Sequence, residues 1–109
     1  SSEIGLYCIS KAADMQLARN IAVEWGARRV RANCIAPGLI KTDFAKALWS
    51  DPKLLKHRVK DSPLNRIGEP DEIAGAAVFL ASKASGFMTG QIMVIDGGVT
   101  AGVPPSALE

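Results

Sequence analysis

Apolar residues recur at helical spacing from about Leu6 to Trp25, with Met15, Ala18, Ala22 and Trp25 on one stripe, and this predicts a long helix. Gly26 follows at the position where a left-handed helix cap belongs. Val30 to Ala36 is short and mostly apolar, as buried parallel strands are, and Pro37-Gly38 should end it because proline cannot continue a central ladder. Between Thr42 and Pro63 the pattern weakens. Phe44, Leu48 and Trp49 suggest one short helix, and Asp51-Pro52 opens another that runs to about Lys60. Glu69-Pro70-Asp71-Glu72 starts a third helix, with a first-turn proline and acids at the positive end of the dipole. Its expected buried stripe is Ile73, Ala74, Ala77, Val78, Leu80 and Ala81. Gln91 to Ile95 reads as a second buried strand closed by Asp96-Gly97-Gly98, and Pro104-Pro105 marks a frayed tail. Two apolar strands joined through helices require a crossover, which makes them parallel and the class α/β.

Composition narrows the function without naming it. The 109 residues are 48% hydrophobic and 22% charged, which fits one globular domain and excludes a disordered chain. Thirteen basic and eleven acidic residues leave a formal charge of +2, with only Arg28, Arg29 and Arg31 clustered, too weak a field for nucleic acid. No uninterrupted apolar run approaches a membrane span and no leader peptide opens the chain, so neither a membrane partner nor export is expected. Cys8 and Cys34 stand in apolar segments without metal-ligand spacing, so no metal is expected and the protein is placed in the reducing cytoplasm. Leu108 and Glu109 have the look of an expression-tag scar.

Tyr7 and Lys11 are the first candidates for chemistry. Four residues apart on a helix, they share a face, and an ammonium near a phenol favours the phenolate and makes the tyrosine a workable general acid or base. Taken alone, the pair is more readily an ordinary surface contact. A second candidate is the run from Asn33 to Thr42, where a strand ends in Pro37-Gly38 and exposed amides and a hydroxyl follow. Open α/β sheets bind ligands at that edge, although Thr42 also suits a helix cap. His57, among Lys56, Arg58 and Lys60 with no partner at a recognisable spacing, is read as a solvated helix residue.

Five segments in order and in register resemble the short-chain dehydrogenase/reductase family: Tyr7-xxx-Lys11 opening an alanine-rich helix, Val30 to Gly38, Gly68-Glu69-Pro70 with Glu72-Ile73-Ala74, Thr89-Gly90-Gln91, and Asp96-Gly97-Gly98. Within it the chain is similar to the carbonyl-reductase and 3-oxoacyl-carrier-protein-reductase branches. The resemblance implies that residues 1–109 are the C-terminal half of a single doubly wound, Rossmann-like domain, with about two strands and three to four helices present. It implies an oxidoreductase that transfers a hydride between a nicotinamide cofactor and a small carbonyl or secondary alcohol. Tyr7 would be the general acid/base, and Lys11 would lower its pKa and bond the nicotinamide ribose. The backbone at Pro37, Gly38 and Ile40 and the hydroxyl of Thr42 would hold the nicotinamide end, and Phe44, Leu48 and Trp49 would line the substrate lid. Ordinary packing of a short amphipathic helix explains those three apolar residues as well.

The family's glycine-rich phosphate cradle and the residue choosing NAD over NADP belong upstream, so the cofactor is expected as NAD(P) without distinction. Only six residues precede Tyr7, so neither Ser1 nor Ser2 stands at the spacing of the family's catalytic serine. The chain alone is therefore expected to be inactive. Two other readings stand beside this one: a noncatalytic module that self-associates through its long helix and last strand, as family dimers and tetramers do, and one half of a split enzyme completed in trans.

Overall fold

A computed structural model describes residues 5–109. In chain order it contains α1 (Gly5–Trp25), β1 (Cys34–Pro37), α2 (Lys46–Trp49), α3 (Pro52–Lys60), α4 (Pro70–Ala81) and β2 (Ile92–Ile95). The two strands pair in one parallel sheet, so the chain is α/β with its helices and strands in the expected order. Two compact units form, Ser1–Ile35 with Val78–Met93 and Ala36–Ala77 with Val94–Glu109, and each contains half of the strand pairing.

In the first unit, α1 buries Ala18 and Ala22 and half-buries Met15 and Ile21. These positions share one face at 3.6 residues per turn. Small residues suit this face because the neighbouring backbone comes close: a Cβ on Gly90, whose φ is +69°, would lie 3.3 Å from the Ala22 methyl. Tyr7 and Lys11 continue the same face toward the N-terminus of the helix. The outer side carries Leu6, Ile9, Leu17 and Val23, all exposed. Gly26 is not the left-handed cap expected of it. A 3-10 turn runs through Gly26–Arg28, and the left-handed residue is Arg29, φ 61°, whose N–H donates to the Gly26 carbonyl.

The first strand begins at Cys34 and not at Val30, because side chains replace the ladder before it. Asn33 donates from its amide nitrogen to the Met88 carbonyl at 3.0 Å and accepts the Gln91 N–H on its amide oxygen at 3.0 Å. The Ala32 N–H goes to the Thr89 hydroxyl at 3.1 Å. One backbone bond, the Gly90 N–H on the Ala32 carbonyl at 2.7 Å, stands among them, and the regular ladder follows from the Cys34 N–H on Gln91. Arg31 leaves the expected basic cluster for a structural task. Its guanidinium donates to the carbonyls of Leu80 at 2.7 Å, Ser85 at 2.9 Å and Met88 at 3.1 Å. It thereby satisfies acceptors at the C-terminal end of α4, where a cation also meets the negative pole of the helix.

In the second unit, β1 runs through Pro37 instead of stopping before it. The physical reason is the alternation of a parallel pair. Cys34 and Gly38 both donate to the partner strand, on Gln91 and Ile95, so the odd-numbered residues between them point their nitrogens the other way. Pro37 therefore loses no bond to β2. Asp51 caps α3 by accepting the Lys53 N–H at 2.9 Å, with Pro52 in the first turn, as the Asp51-Pro52 signal anticipates, and with His57, Arg58 and Lys60 in the last turn. The tail ends in a 3-10 turn at Pro105–Ala107 and is not frayed there.

Burial is shallower than the hydrophobic pattern suggests. Ala18 and Ala22 are the buried apolar residues among those described, and both strands are no more than half-buried. Along α4 only Ile73, Ala76 and Leu80 are half-buried, whereas Ala74, Ala77, Val78 and Ala81 of the expected stripe are exposed. A two-stranded sheet among the described residues offers too little surface to cover that stripe.

Replacing Arg31 with methionine keeps the aliphatic stem and removes every donor. The expected loss is about 1–3 kcal/mol, since half-buried carbonyls are left without their charged partner. Urea unfolding followed by circular dichroism measures it; an unchanged midpoint would mean that water replaces the guanidinium without cost.

Candidate functional site

The Tyr7–Lys11 pair lies in the first unit. Tyr7 is 53% exposed, and the Lys11 ammonium stands 5.4 Å from the centroid of its ring, a cation–π distance. Lys11 also meets the Asp14 carboxylate at 3.5 Å, one further turn along the helix. The three side chains thus form a short row: phenol, ammonium, carboxylate. The row sits at the N-terminal end of the face that packs through Ala18 and Ala22, so the packing of α1 sets the direction in which the row points. The Ser10 hydroxyl donates to the Tyr7 carbonyl at 2.7 Å, a local bond within the helix. Ser1 and Ser2 lie outside the described residues.

Pro37, Gly38, Ile40 and Thr42 lie in the second unit. Gly38 is required by close approach: a Cβ there would fall 2.8 Å from the Asp96 Cα and 2.9 Å from its Cβ. Beyond it, Ile40 forms an isolated parallel bridge with Gly68. Gly68 donates to the Leu39 carbonyl at 3.0 Å and accepts from the Lys41 N–H at 2.9 Å. The Ile40 carbonyl takes the Thr42 N–H at 2.8 Å, and the Ile40 N–H enters none of the hydrogen bonds between described residues. The Thr42 hydroxyl accepts the Ala45 N–H at 3.2 Å within the turn that leads into α2, whose own N-cap, Ala45, has no side-chain cap bond. A hydroxyl that accepts one bond still carries its own O–H donor. One N–H and one O–H two residues apart therefore have no acceptor among the described residues.

The three lid residues are placed differently from one another. Phe44 is 96% exposed and Leu48 is exposed as well, and neither lines the groove walled by Trp49 or the smaller cleft beside Arg66. Trp49 is half-buried and walls an open groove of about 740 Å³ with Pro52, Leu55, Val59 and Ile67. Its indole N–H donates to the Thr42 carbonyl at 2.9 Å, and the Lys41 ammonium lies 5.4 Å from its ring centroid. Trp49 thus ties α2 to the segment that carries Thr42. His57 stays on the exposed side of α3.

A smaller cleft of about 100 Å³ is lined by Leu39, Ile40, Arg66, Gly68, Glu72 and Asp96, among others. Sequence reasoning passed over its main polar feature, the pairing of Arg66 with Glu72. The guanidinium meets both carboxylate oxygens, at 2.8 and 2.6 Å, and also donates to the Ile67 carbonyl at 3.1 Å. The Glu72 carboxylate accepts the Glu69 N–H at 2.8 Å, half of a capping box at the start of α4. The available signal was Glu69 followed three residues later by Glu72 before an apolar run. The Arg66 side-chain bond, followed by the Glu69 amide, holds the Glu72 carboxyl down at about 2, and the same partner raises Arg66. Asp96 is lowered too, first by its bonds to Thr100 and then by the Gly98 amide, as its carboxylate closes the Asp96-Gly97-Gly98 turn.

No helix among the described residues is long and apolar enough to cross a membrane. Cys8 and Cys34 are free thiols, and the Cys34 sulfur lies 3.6 Å from the Asp14 carbonyl.

Set against known proteins, the chain matches over residues 1–100 the family described as enoyl-(acyl carrier protein) reductase. It is 42% identical over 97 residues to dehydrogenase/reductase SDR family member 4 of Oryctolagus cuniculus, covering 89% of this chain and 37% of that protein. Among solved structures it resembles a gluconate 5-dehydrogenase from Burkholderia cenocepacia in complex with NADP and tartrate. The TM-score is 0.87 and the identity 37%, over 91% of this chain and 39% of that one. A 4-hydroxyisoleucine dehydrogenase complexed with NADH matches at a TM-score of 0.85 and 35% identity, over 88% of this chain and 40% of that one. The chain belongs to the short-chain dehydrogenase/reductase family. It spans somewhat more than a third of the length of these relatives.

Glu72 and Asp96 also make stability depend on pH. Both carboxyls are lower in the folded state than their ordinary values of 4.5 and 3.8, so the unfolded chain takes up protons first as pH falls. Their contribution is complete above the ordinary values and disappears as pH approaches the folded ones, about 2 for Glu72. Both side chains of the Arg66–Glu72 pair are around half-exposed, so solvent screens the effect and keeps it modest. Glu72→Gln should flatten the decline in melting temperature between pH 5 and pH 2. A slope identical to that of the unaltered protein would remove Glu72 from the account.

Proposed function

We propose that the protein carrying this chain is an NAD(P)-dependent oxidoreductase acting on a small carbonyl or secondary alcohol, and that residues 1–109 are the C-terminal part of its Rossmann-like domain. The observation that carries this reading is the row on α1, with the Lys11 ammonium 5.4 Å from the exposed Tyr7 ring, in line with the face that buries Ala18 and Ala22 further along the helix. Tyr7 is the general acid/base: its hydroxyl gives a proton to the carbonyl oxygen in reduction and takes one from the alcohol in oxidation. Lys11 supplies the positive charge that stabilises the tyrosine oxygen when the proton leaves, and Asp14 steadies the ammonium through its ion pair. Ile40 through its N–H and Thr42 through its O–H orient the carboxamide end of the cofactor, beside the backbone of Pro37 and Gly38. When bound, the nicotinamide supplies or accepts the hydride. Trp49 walls the groove that would hold substrate, and Phe44 and Leu48, outward in this structure, would reach substrate only as part of the lid.

The NADP and NADH bound by the two related dehydrogenases support the cofactor class. The glycine-rich cradle for the pyrophosphate would come from residues outside this chain, so the 109-residue chain alone is inactive. Two free thiols suit a cytoplasmic protein. Self-association is the second reading. It is favoured by Leu6, Ile9, Leu17 and Val23, which share the outer side of α1 and are all exposed.

In the full-length protein, Tyr7→Phe should reduce turnover at least about a thousandfold while cofactor binding stays within about threefold, because it deletes the transferable proton and little else. Retained turnover would overturn the assignment. Lys11→Ala should weaken cofactor binding and slow turnover together. For the 109-residue chain by itself, calorimetry with NADH and NADPH should give no binding. Micromolar binding would show that these residues assemble a nucleotide site of their own.

A further inference from the structure

We propose that Arg66 and Glu72 are positioning residues, a clamp that holds the backbone of Leu39–Thr42 in the conformation that receives the nicotinamide end of the cofactor. The proposal rests on the functional reading above and adds a part to it. Its basis is a chain of short contacts inside the second unit. Leu39–Lys41 is held from one side by a single residue, Gly68, through one donated and one accepted backbone bond. Gly68 has no side chain with which to anchor itself, and a Cβ there would come 2.6 Å from the Ile40 Cδ1, the end of a side chain that would have to shift. Its position must therefore be set by its neighbours in sequence.

Those neighbours are clamped. Arg66, two residues before Gly68, meets both oxygens of Glu72, four residues after it, and Glu72 also accepts the N–H of Glu69. The six-residue interval is thereby closed by a planar, two-point bond, which restricts rotation as a single-point contact would not. At the far end, α4 provides a rigid base, since Glu72 belongs to its first turn. The Arg66 bond to the Ile67 carbonyl fixes the peptide immediately before Gly68. Neither Arg66 nor Glu72 takes part in proton transfer in the proposed reaction. Their effect on the cofactor runs through Gly68, then Ile40, then Thr42, whose N–H rests on the Ile40 carbonyl, while Arg66 also lines the groove that Trp49 walls.

The test uses the full-length protein, with Arg66→Ala, Arg66→Lys, Glu72→Ala and Glu72→Gln, and Tyr7→Phe alongside. Two readouts are independent of turnover: the dissociation constant for NADH or NADPH by calorimetry, and hydrogen exchange at the amides of Lys41 and Gly68 without cofactor. Arg66→Ala and Glu72→Ala should speed exchange at both amides at least about fivefold and weaken cofactor binding about three- to tenfold. With cofactor saturating, kcat should change less than twofold, so that the loss falls on KM for the cofactor. Arg66→Lys should recover part of the binding, because the charge remains while the two-point geometry is lost. Should an alanine variant fail to fold, Glu72→Gln, which keeps an acceptor for the Glu69 amide, still decides the matter. Unchanged exchange at Lys41 and Gly68, or faster exchange with unchanged cofactor affinity, would overturn the clamp. Turnover surviving in Tyr7→Phe would instead overturn the functional reading, and the exchange rates separate the two failures.

Discussion

A short parallel pairing carries the rest of this structure. Between the Cys34 bond to Gln91 and the Gly38 bond to Ile95, two four-residue strands run in register. So few ladder bonds could not define a register by themselves, and the sequence around them makes up the difference. At the entry, Asn33 bonds both Met88 and Gln91 and so presents its own amide as a surrogate peptide. At the exit, the absent side chain of Gly38 lets the strand come against Asp96. A shift by one residue would break the entry and place a Cβ in the exit.

Both groups of proposed functional residues inherit their placement from this pairing, each in its own unit. In the first, the Gly90 backbone that precedes β2 admits only a small residue on α1, and Ala22 fills that place. The rotation of the helix about its axis follows, and with it the side on which Tyr7, Lys11 and Asp14 lie. In the second, the chain leaving Gly38 is caught at once by Gly68 on one side and by the Trp49 indole on the Thr42 carbonyl on the other. Turn chemistry does the remaining work, as Asp96 draws in the amides of Gly98 and Thr100 and closes the turn after β2.

Much of this was legible in the residues. Helix periodicity found α1 and α4, Asp51-Pro52 marked the start of α3 to the residue, and the alternation of strands with helices led to a parallel sheet. The errors have physical causes. Gly26 was given the left-handed position by its type, yet the 3-10 turn after α1 delays that position to Arg29, where an arginine accepts the strain. Val30–Asn33 was read as strand because a mostly apolar run does not reveal that side chains of Asn33 and Thr89 will interrupt the backbone ladder. The buried stripe of α4 was inferred from composition, whereas burial depends on what lies opposite. Of the candidate site, Tyr7 and Lys11 share a helix face at four-residue spacing, a weak sign alone, and they stood out because four further segments in register resemble the family. Arg66 and Glu72 did not, because six residues across an irregular loop carry no period that predicts contact.

Pro37 gives β1 a polarity across its width. The side toward β2 is bonded on both flanks of the proline, at Cys34 and at Gly38, while the ring nitrogen faces the opposite side with no hydrogen to offer. A further strand laid along that opposite side could take a bond from the Ile35 N–H but would find none at Pro37. Its ladder would have to terminate one step before the turn. The proline thus acts as punctuation for a neighbour: it tells an incoming strand where to stop, one step before the backbone that leads from Gly38 to Thr42.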